Sequence, residues 1–176
     1  MIITIDSNLI NIKGKDNELK EIEHYSKTGL FEIVGTQRLL DEMERYNPDA
    51  FEKAMSYKNV SEPMTIGEYR VGKGYISSED KSDLKFKIVA LEMFPNKTIE
   101  NLNVDERNDI MHIISHYHSN SDIFLTRNSK DFIDGKKTNR NRHLDQKNRV
   151  RKWFETFGVK IKTPTEFLIE IKNNVC

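Results

Sequence analysis

The chain has 176 residues and a mass of 20.7 kDa, the size of one ordinary domain, and its 36% hydrophobic and 32% charged residues leave enough apolar side chains for a core and argue against disorder. No apolar run approaches the roughly 18 residues of a membrane span, and Met1 to Asp6 has neither the basic start nor the cleavage site of a signal peptide, so a cytoplasmic protein without a membrane partner is expected. The net charge is zero, yet residues 127–152 hold ten Lys and Arg against three acids, leaving 18 bases against 25 acids elsewhere; a basic segment of +7 on an acidic body can meet a polyanion whatever the total says.

Met1 to Asp6 is apolar and β-branched before the abrupt change to Asp6-Ser7-Asn8, which predicts a buried strand near the centre of a sheet with Asp6 at its carboxyl end. Leu19, Ile22 and Tyr25 recur at helical spacing before Gly29, predicting a helix over 17–27. Phe31 to Thr36 reads as a second strand. Leu39, Leu40 and Met43 mark an amphipathic helix ending near Asn47, and Pro48 opens another that carries Phe51 and Met55. Residues 60–78, with Pro63, Gly67, Gly72 and Gly74, lack a period and read as an excursion within the domain.

Ser78-Glu79-Asp80 suits a helix N-terminus, followed by Leu84, Ile88, Leu91 and Phe94 as an expected inward stripe. Asp109 opens or sits early in the next helix, whose apolar side is Ile110, Ile113, Ile114 and Tyr117. Asp122 to Thr126 is a third strand, Val150 to Phe157 a partly helical segment and Gly158 to Lys162 a fourth strand; Thr163-Pro164-Thr165 caps a last helix. Trp153, Phe154 and Phe157 have the helical spacing of core residues rather than of base-stacking platforms. Strands alternating with helices predict one α/β domain over 1–176 with a mostly parallel sheet, whose sites form outside the carboxyl ends of the strands.

The chemistry available at those ends is carboxylate chemistry. The chain lacks GxxxxGK[ST], GxGxxG after a strand and GxSxG, and its single cysteine, Cys176, rules out an internal disulfide or a cysteine-rich cage. His112 and His116 are spaced i,i+4, but Ile113 stands where a zinc protease has Glu, so both read as helix-surface or core-edge residues. Asp6, Glu42 with Asp41 beside it, Asp109 and Asp131 each fall where an open sheet keeps its site. Carboxylates converging on one crevice repel one another unless a hard divalent cation compensates, and Mg²⁺ or Mn²⁺ takes oxygen ligands. A strand ending in Asp also opens phosphatases of the haloacid dehalogenase type, but Asn8 stands where that chemistry needs a second acid.

At these residues the sequence resembles the PIN-domain nucleases. Ile5-Asp6-Ser7-Asn8-Leu9-Ile10 is similar to their opening Asp-x-Asn strand, and Thr36-Gln37-Arg38-Leu39-Leu40-Asp41-Glu42 to their second-strand Ser/Thr followed by a helical Glu. Asn108-Asp109-Ile110-Met111-His112-Ile113 resembles their Asp-Ala-x-His helix start, and Asp122 to Phe132 their strand ending in Thr-x-Asp/Asn with a following Asp-Phe. Phe157 to Leu168 is similar to the family's last strand and helix. Asn128 departs from the Asp that many members carry, which passes the fourth acidic position to Asp131; residues 60–78 and the basic segment have no counterpart.

The resemblance implies a three-layer fold with a mostly parallel central sheet flanked by helices. It implies a metal-dependent endoribonuclease, a hydrolase of RNA phosphodiester bonds that leaves a 5′ phosphate. Asp6, Glu42, Asp109 and Asp131 would be catalytic, Asp6, Asp109 and Asp131 would hold Mg²⁺ or Mn²⁺, and Asn8, Thr126 and Asn128 would orient the acids by hydrogen bonds. Lys136, Lys137, Arg140 and Arg142 in the basic segment would hold the RNA backbone. The toxin of a toxin–antitoxin pair, with an antitoxin protein as partner, and a homodimer are settings the family suggests; the alternative is a catalytically weak PIN-like module that binds RNA or protein.

Overall fold

A computed structural model describes residues 1–10, 17–60, 62–63, 74–75, 81–134 and 148–175. Most of the 60–78 excursion, the expected cap at Ser78 to Asp80, and Lys136, Lys137, Arg140 and Arg142 lie outside the described residues. The order of elements is β1 (Ile2–Ile5), α1 (Ser7–Ile10), α2 (Asn17–Lys27), β2 (Glu32–Thr36), α3 (Gln37–Tyr46), α4 (Pro48–Met55) and β3 (Lys58–Val60). The short strands β4 (Glu62–Pro63) and β5 (Gly74–Tyr75), α5 (Lys81–Met93), a 3₁₀ turn (Ile99–Asn101), α6 (Val104–His118) and β6 (Ile123–Leu125) follow. A π-helical turn (Lys130–Asp134), α7 (Arg149–Glu155), β7 (Lys160–Lys162) and α8 (Pro164–Val175) complete the described chain. Among the described residues no helix is long and apolar enough to cross a membrane.

The main sheet is five-stranded and parallel throughout, in the order β3-β2-β1-β6-β7. The chain leaves β1 in one direction through β2 to β3, then returns to the other side of β1 for β6 and β7. Parallel strands need crossovers, and right-handed crossovers run in opposite directions put their helices on opposite faces. Ile3, Ile5, Ile33, Ile123 and Leu125 accordingly pack with apolar residues of α1 to α4 and α8, while Phe124 and Ile161 pack with residues of α5, α6 and α7. The direction reverses between β1 and β6, the crevice where open α/β sheets place their sites.

Register aims the site. Thr4 is level with Val34 on one side and Phe124 on the other. Two residues further along each strand direction, on the same side of the pleat, stand Asp6, Thr36 and Thr126. Asp6 N–H donates to the Leu125 carbonyl (3.0 Å) and Thr126 N–H to the Lys162 carbonyl (3.1 Å), extending the ladder to these residues. Gly35 lets α3 turn back tightly, because a Cβ there would stand 3.0 Å from Leu39 Cδ2. Thr36 caps α3, its Oγ1 accepting from Leu39 N–H at 3.1 Å. On α6, Asn103 and Glu106 form a reciprocal capping box, which sets the helix start five residues before Asp109.

Two expectations from periodicity fail. On α5 the buried residues are Phe86, Val89, Ala90 and Met93, whereas Leu84, Ile88 and Leu91, expected inside, are 57%, 41% and 60% exposed. The helix carries apolar residues on both sides, so spacing alone could not say which side the sheet would take. Tyr117 and Phe157, expected in the core, are exposed as well, while Phe154 is buried and Trp153 packs partly against the core. Helix α4 is anchored by Ala50 and Ala54 rather than by Met55, which is exposed.

Candidate active site

Asp6 lies just past β1, 2% exposed, and three neighbours fix its carboxylate. Thr126 Oγ1 donates to Asp6 Oδ2 at 2.6 Å, Asn8 Nδ2 donates to the same oxygen at 2.5 Å, and Ser7 Oγ approaches Oδ1 at 3.4 Å. Asn8 in turn donates to Thr126 Oγ1 (3.2 Å) and accepts from Arg127 N–H (3.0 Å), and Thr126 Oγ1 accepts from Asn128 N–H (2.9 Å). The turns after β1 and β6 are thus tied together by Asn8 and Thr126. Burial raises the Asp6 pKa, His112 and the Thr126 hydrogen bond oppose that, and Glu42 adds to it.

Asn128, standing where the motif has an acid, acts on Asp131. Its Nδ2 donates to Asp131 Oδ2 at 3.0 Å and its Oδ1 accepts from Asp131 N–H at 3.2 Å. The amide therefore starts the π-helical turn as an N-cap would and orients the carboxylate three residues on. Phe132 and Ile133, buried at 0% and 5% exposure, anchor that turn so that Asp131 looks toward the crevice.

Asp109 and His112 share one face of α6, a turn apart. Burial pushes the Asp109 carboxyl up to about 9, assisted by the charges of Asp6, Asp131 and Glu42 and opposed by His112. Asp109 therefore senses the charges of the other three expected acids. For His112, burial would lower the pKa, but Glu42, Asp6 and Asp109 outweigh it and raise the ring to about 9. The balance favours the imidazolium at neutral pH. Its Nδ1 donates to Thr36 Oγ1 at 2.8 Å, and Nε2 lies 3.5 Å from Glu42 Oε1, an ion-pair contact longer than a hydrogen bond. Burial opposes ionisation of Glu42 too, but His112, with hydrogen bonds from Ser7 and Asn108, holds its pKa below the usual range. Asp41, the rival for this position, is buried and accepts from Gln37 Nε2 at 3.1 Å.

The two histidines depart from the sequence expectation. Neither is a surface or edge residue: His112 is 0% and His116 1% exposed. They face different partners, His116 Nδ1 lying 2.5 Å from Thr4 Oγ1, one turn deeper along α6 than the Thr36 contact. Burial, against the pull of Asp122, lowers His116 to about 4, so it is neutral while His112 is charged. His112, quoted within the Asn108 to Ile113 motif but given no role there, is the buried partner of Thr36 and Glu42. Its signal was the i,i+3 spacing from Asp109, which places both on one helical face.

Part of the basic segment is internally neutralised. Arg127 pairs with Glu18 at 2.6 Å, Arg149 with Glu92, and Arg151 with Glu166 at 2.9 Å. These three cations dock α2, α5 and α8 against their neighbours.

Among the described residues, no three His, Cys, Asp or Glu side chains are grouped so as to hold a metal ion as they stand. The donor chemistry suits a hydrated hard cation nevertheless. The acids offer oxygen alone, buried His112 contacts Glu42 and buried Arg38 donates to Asn108 at 3.4 Å beside them, and Mg²⁺ needs one or two carboxylates while it keeps several waters. The high Asp109 pKa comes first from burial and second from the neighbouring acids. No protein-family model, curated protein or solved structure matches the chain, so the reading of this crevice rests on its own geometry.

Proposed function

We propose that the chain is a metal-dependent endoribonuclease that hydrolyses RNA phosphodiester bonds, of the PIN type its motifs resemble. The observation that carries this reading is the placement of acids at the carboxyl ends of β1, β2 and β6: Asp6 is fixed by Thr126 and Asn8, Asp131 is held by Asn128, and buried His112 links Thr36 to Glu42. Asp6, Asp109 and Asp131 would hold Mg²⁺ or Mn²⁺. When bound, such an ion supplies a water of lowered pKa and offsets charge developing on the phosphate.

The chain's own residues prepare the place. Thr126 and Asn8 hold the Asp6 carboxylate in one orientation, Asn128 does the same for Asp131, and His112 keeps Glu42 ionised in a half-buried position. Small neutral polar side chains suit this role because they fix an acid without adding charge. The RNA backbone would be held by Lys136, Lys137, Arg140 and Arg142, an assignment that rests on the sequence. An enzyme of this kind suits the toxin of a toxin–antitoxin pair, with a small cotranscribed protein as its inhibitor.

Cleavage of RNA in Mg²⁺ or Mn²⁺, with and without EDTA, tests the reading. Activity lost with EDTA and with Asp6→Asn is the expected result; cleavage that ignores either refutes it. One observation favours a second reading, a PIN-like module that binds RNA or protein and cuts weakly: an amide, Asn128, stands where the motif has its fourth acid and engages Asp131. RNA binding that survives Asp6→Ala, with no cleavage in any metal, would establish that alternative.

A further inference from the structure

Arg127, Arg149 and Arg151 hold their acids in different ways. Arg149 binds Glu92 through its carboxylate and its backbone carbonyl, and Arg151 grips both oxygens of Glu166 at 2.9 Å. Glu18 instead divides its oxygens between two donors. Oε2 accepts from Arg127 Nη2 at 2.6 Å and Oε1 from the Thr165 hydroxyl at 2.5 Å. Arg127 and Thr165 thus face one anion from two elements, the turn after β6 and the first turn of α8. They stand beside the crevice: Arg127 N–H donates to Asn8 Oδ1 at 3.0 Å, and Asn8 Nδ2 donates to Asp6 Oδ2 at 2.5 Å.

We propose that Arg127 and Thr165 form a subsite for an RNA backbone phosphate next to the crevice, filled by the Glu18 carboxylate until the phosphate displaces it. The proposal rests on the ribonuclease reading only for the choice of RNA as the polyanion. Three observations carry it. The donors are a guanidinium and a hydroxyl converging on one carboxylate, and the guanidinium fork matches phosphate as well as carboxylate. The occupant can leave, because the side chains of Glu18 and Arg127 are 31% and 32% exposed, and a pair so open to water is weak. Helices α2 and α8 do not depend on it, since Leu19, Ile22, Phe167, Leu168 and Ile171 pack in a common core. Finally, Arg127 follows Thr126, whose hydroxyl fixes Asp6, so a backbone held by Arg127 runs on to the acids. Glu18 is then an internal competitor, a carboxylate standing where an incoming strand needs a cation.

Fluorescence anisotropy of a labelled single-stranded oligoribonucleotide, in EDTA to prevent metal-dependent cleavage, tests the subsite. Glu18→Gln should tighten binding about threefold. Arg127→Gln should weaken it by about threefold or more and lower the logarithmic salt slope by about 0.7, the share of one phosphate on a single strand. The variant with both changes should bind like Arg127→Gln alone, because Glu18 acts through Arg127. Glu21→Gln, on the same helix and paired with Lys172, removes an equal charge and should leave binding unchanged. These side chains are partly exposed, so far-ultraviolet circular dichroism should stay that of the parent. The proposal is overturned if Glu18→Gln binds no more tightly than the parent, or if no variant binds RNA. A gain that persists without Arg127, or that Glu21→Gln matches, also overturns it, since long-range repulsion would then be the cause. Cleavage in Mg²⁺ separates the two readings. The expected binding pattern without cleavage keeps the subsite and refutes the ribonuclease, whereas cleavage with binding indifferent to these variants does the reverse.

Discussion

Asp109→Asn should make the protein more stable while abolishing its activity. In the fold the carboxyl has a pKa of about 9 against an ordinary 3.8, with burial the main cause. The folded state therefore keeps a proton that the unfolded state has released throughout the interval from 3.8 to 9, and stability falls as pH climbs through it. At about 1.36 kcal/mol per pH unit from 3.8 to neutrality, holding that carboxyl protonated costs about 4 kcal/mol at pH 7. Asparagine has nearly the same shape and no such cost. A gain of about 3 kcal/mol is expected at pH 7, which for a chain of this length raises the melting temperature by about 6 to 12 °C. At pH 4 the unfolded carboxyl is itself partly protonated, and the gain should fall below about 1 kcal/mol. Urea melts of both proteins at pH 7 and pH 4 measure the difference, with RNA cleavage assayed alongside. A variant no more stable than the parent at pH 7, or equally favoured at both pH values, would refute the account of Asp109 as a strained functional acid.

Three further outcomes follow from the same geometry and charge pattern. His112, raised from 6.5 to about 9 by Glu42, Asp6 and Asp109 against burial, contributes its full charge stabilisation below pH 6.5 and loses it as pH rises through 9. His112→Gln should cost about 3 to 5 kcal/mol at pH 6 and much less at pH 9.5; urea melts showing equal cost at both would deny the ring its charge. Thr126→Val leaves Asp6, Asn8 and the Asn128 N–H without a shared hydroxyl, and should lower stability by about 2 kcal/mol or more, with cleavage falling alongside, while Thr126→Ser retains most of both. Changing Lys136, Lys137, Arg140 and Arg142 together to Gln should weaken RNA binding and flatten its logarithmic salt dependence by up to about 3, while Mg²⁺-induced thermal stabilisation stays as in the parent. Unchanged RNA affinity would make the segment a solvated loop.

These tests separate two uses of charge. The acidic body concentrates negative charge in a crevice where it opposes folding, and the native state tolerates this because the sheet on either side is packed on both faces. Strain of this kind is characteristic of sites that bind a ligand or stabilise a transition state.

Four of the five main-sheet strands in their order among the longer helices, the central position of β1 and the arrival of Asp6, Thr36 and Thr126 at strand ends could be read from the sequence, because local alternation, caps and turn residues act over a few positions; the edge strand β3, three residues with little apolar pattern, could not. The four acids could be read as candidates, each at the end or early turn of an element. The sequence could not show which of Asp41 and Glu42 faces the crevice, since adjacent helical residues differ by about 100° and α3 must first be docked on β2. Nor could it show that His112 is buried as the counter-charge of that crevice: Thr36 and Glu42 reach it across 76 and 70 residues of chain, and the crossover joining β3 to β6 makes them neighbours. The stripe of α5 was visible, but its direction was not. With apolar residues on two sides of one helix, the helical period is satisfied either way, and the sheet decided by taking Phe86, Val89 and Met93.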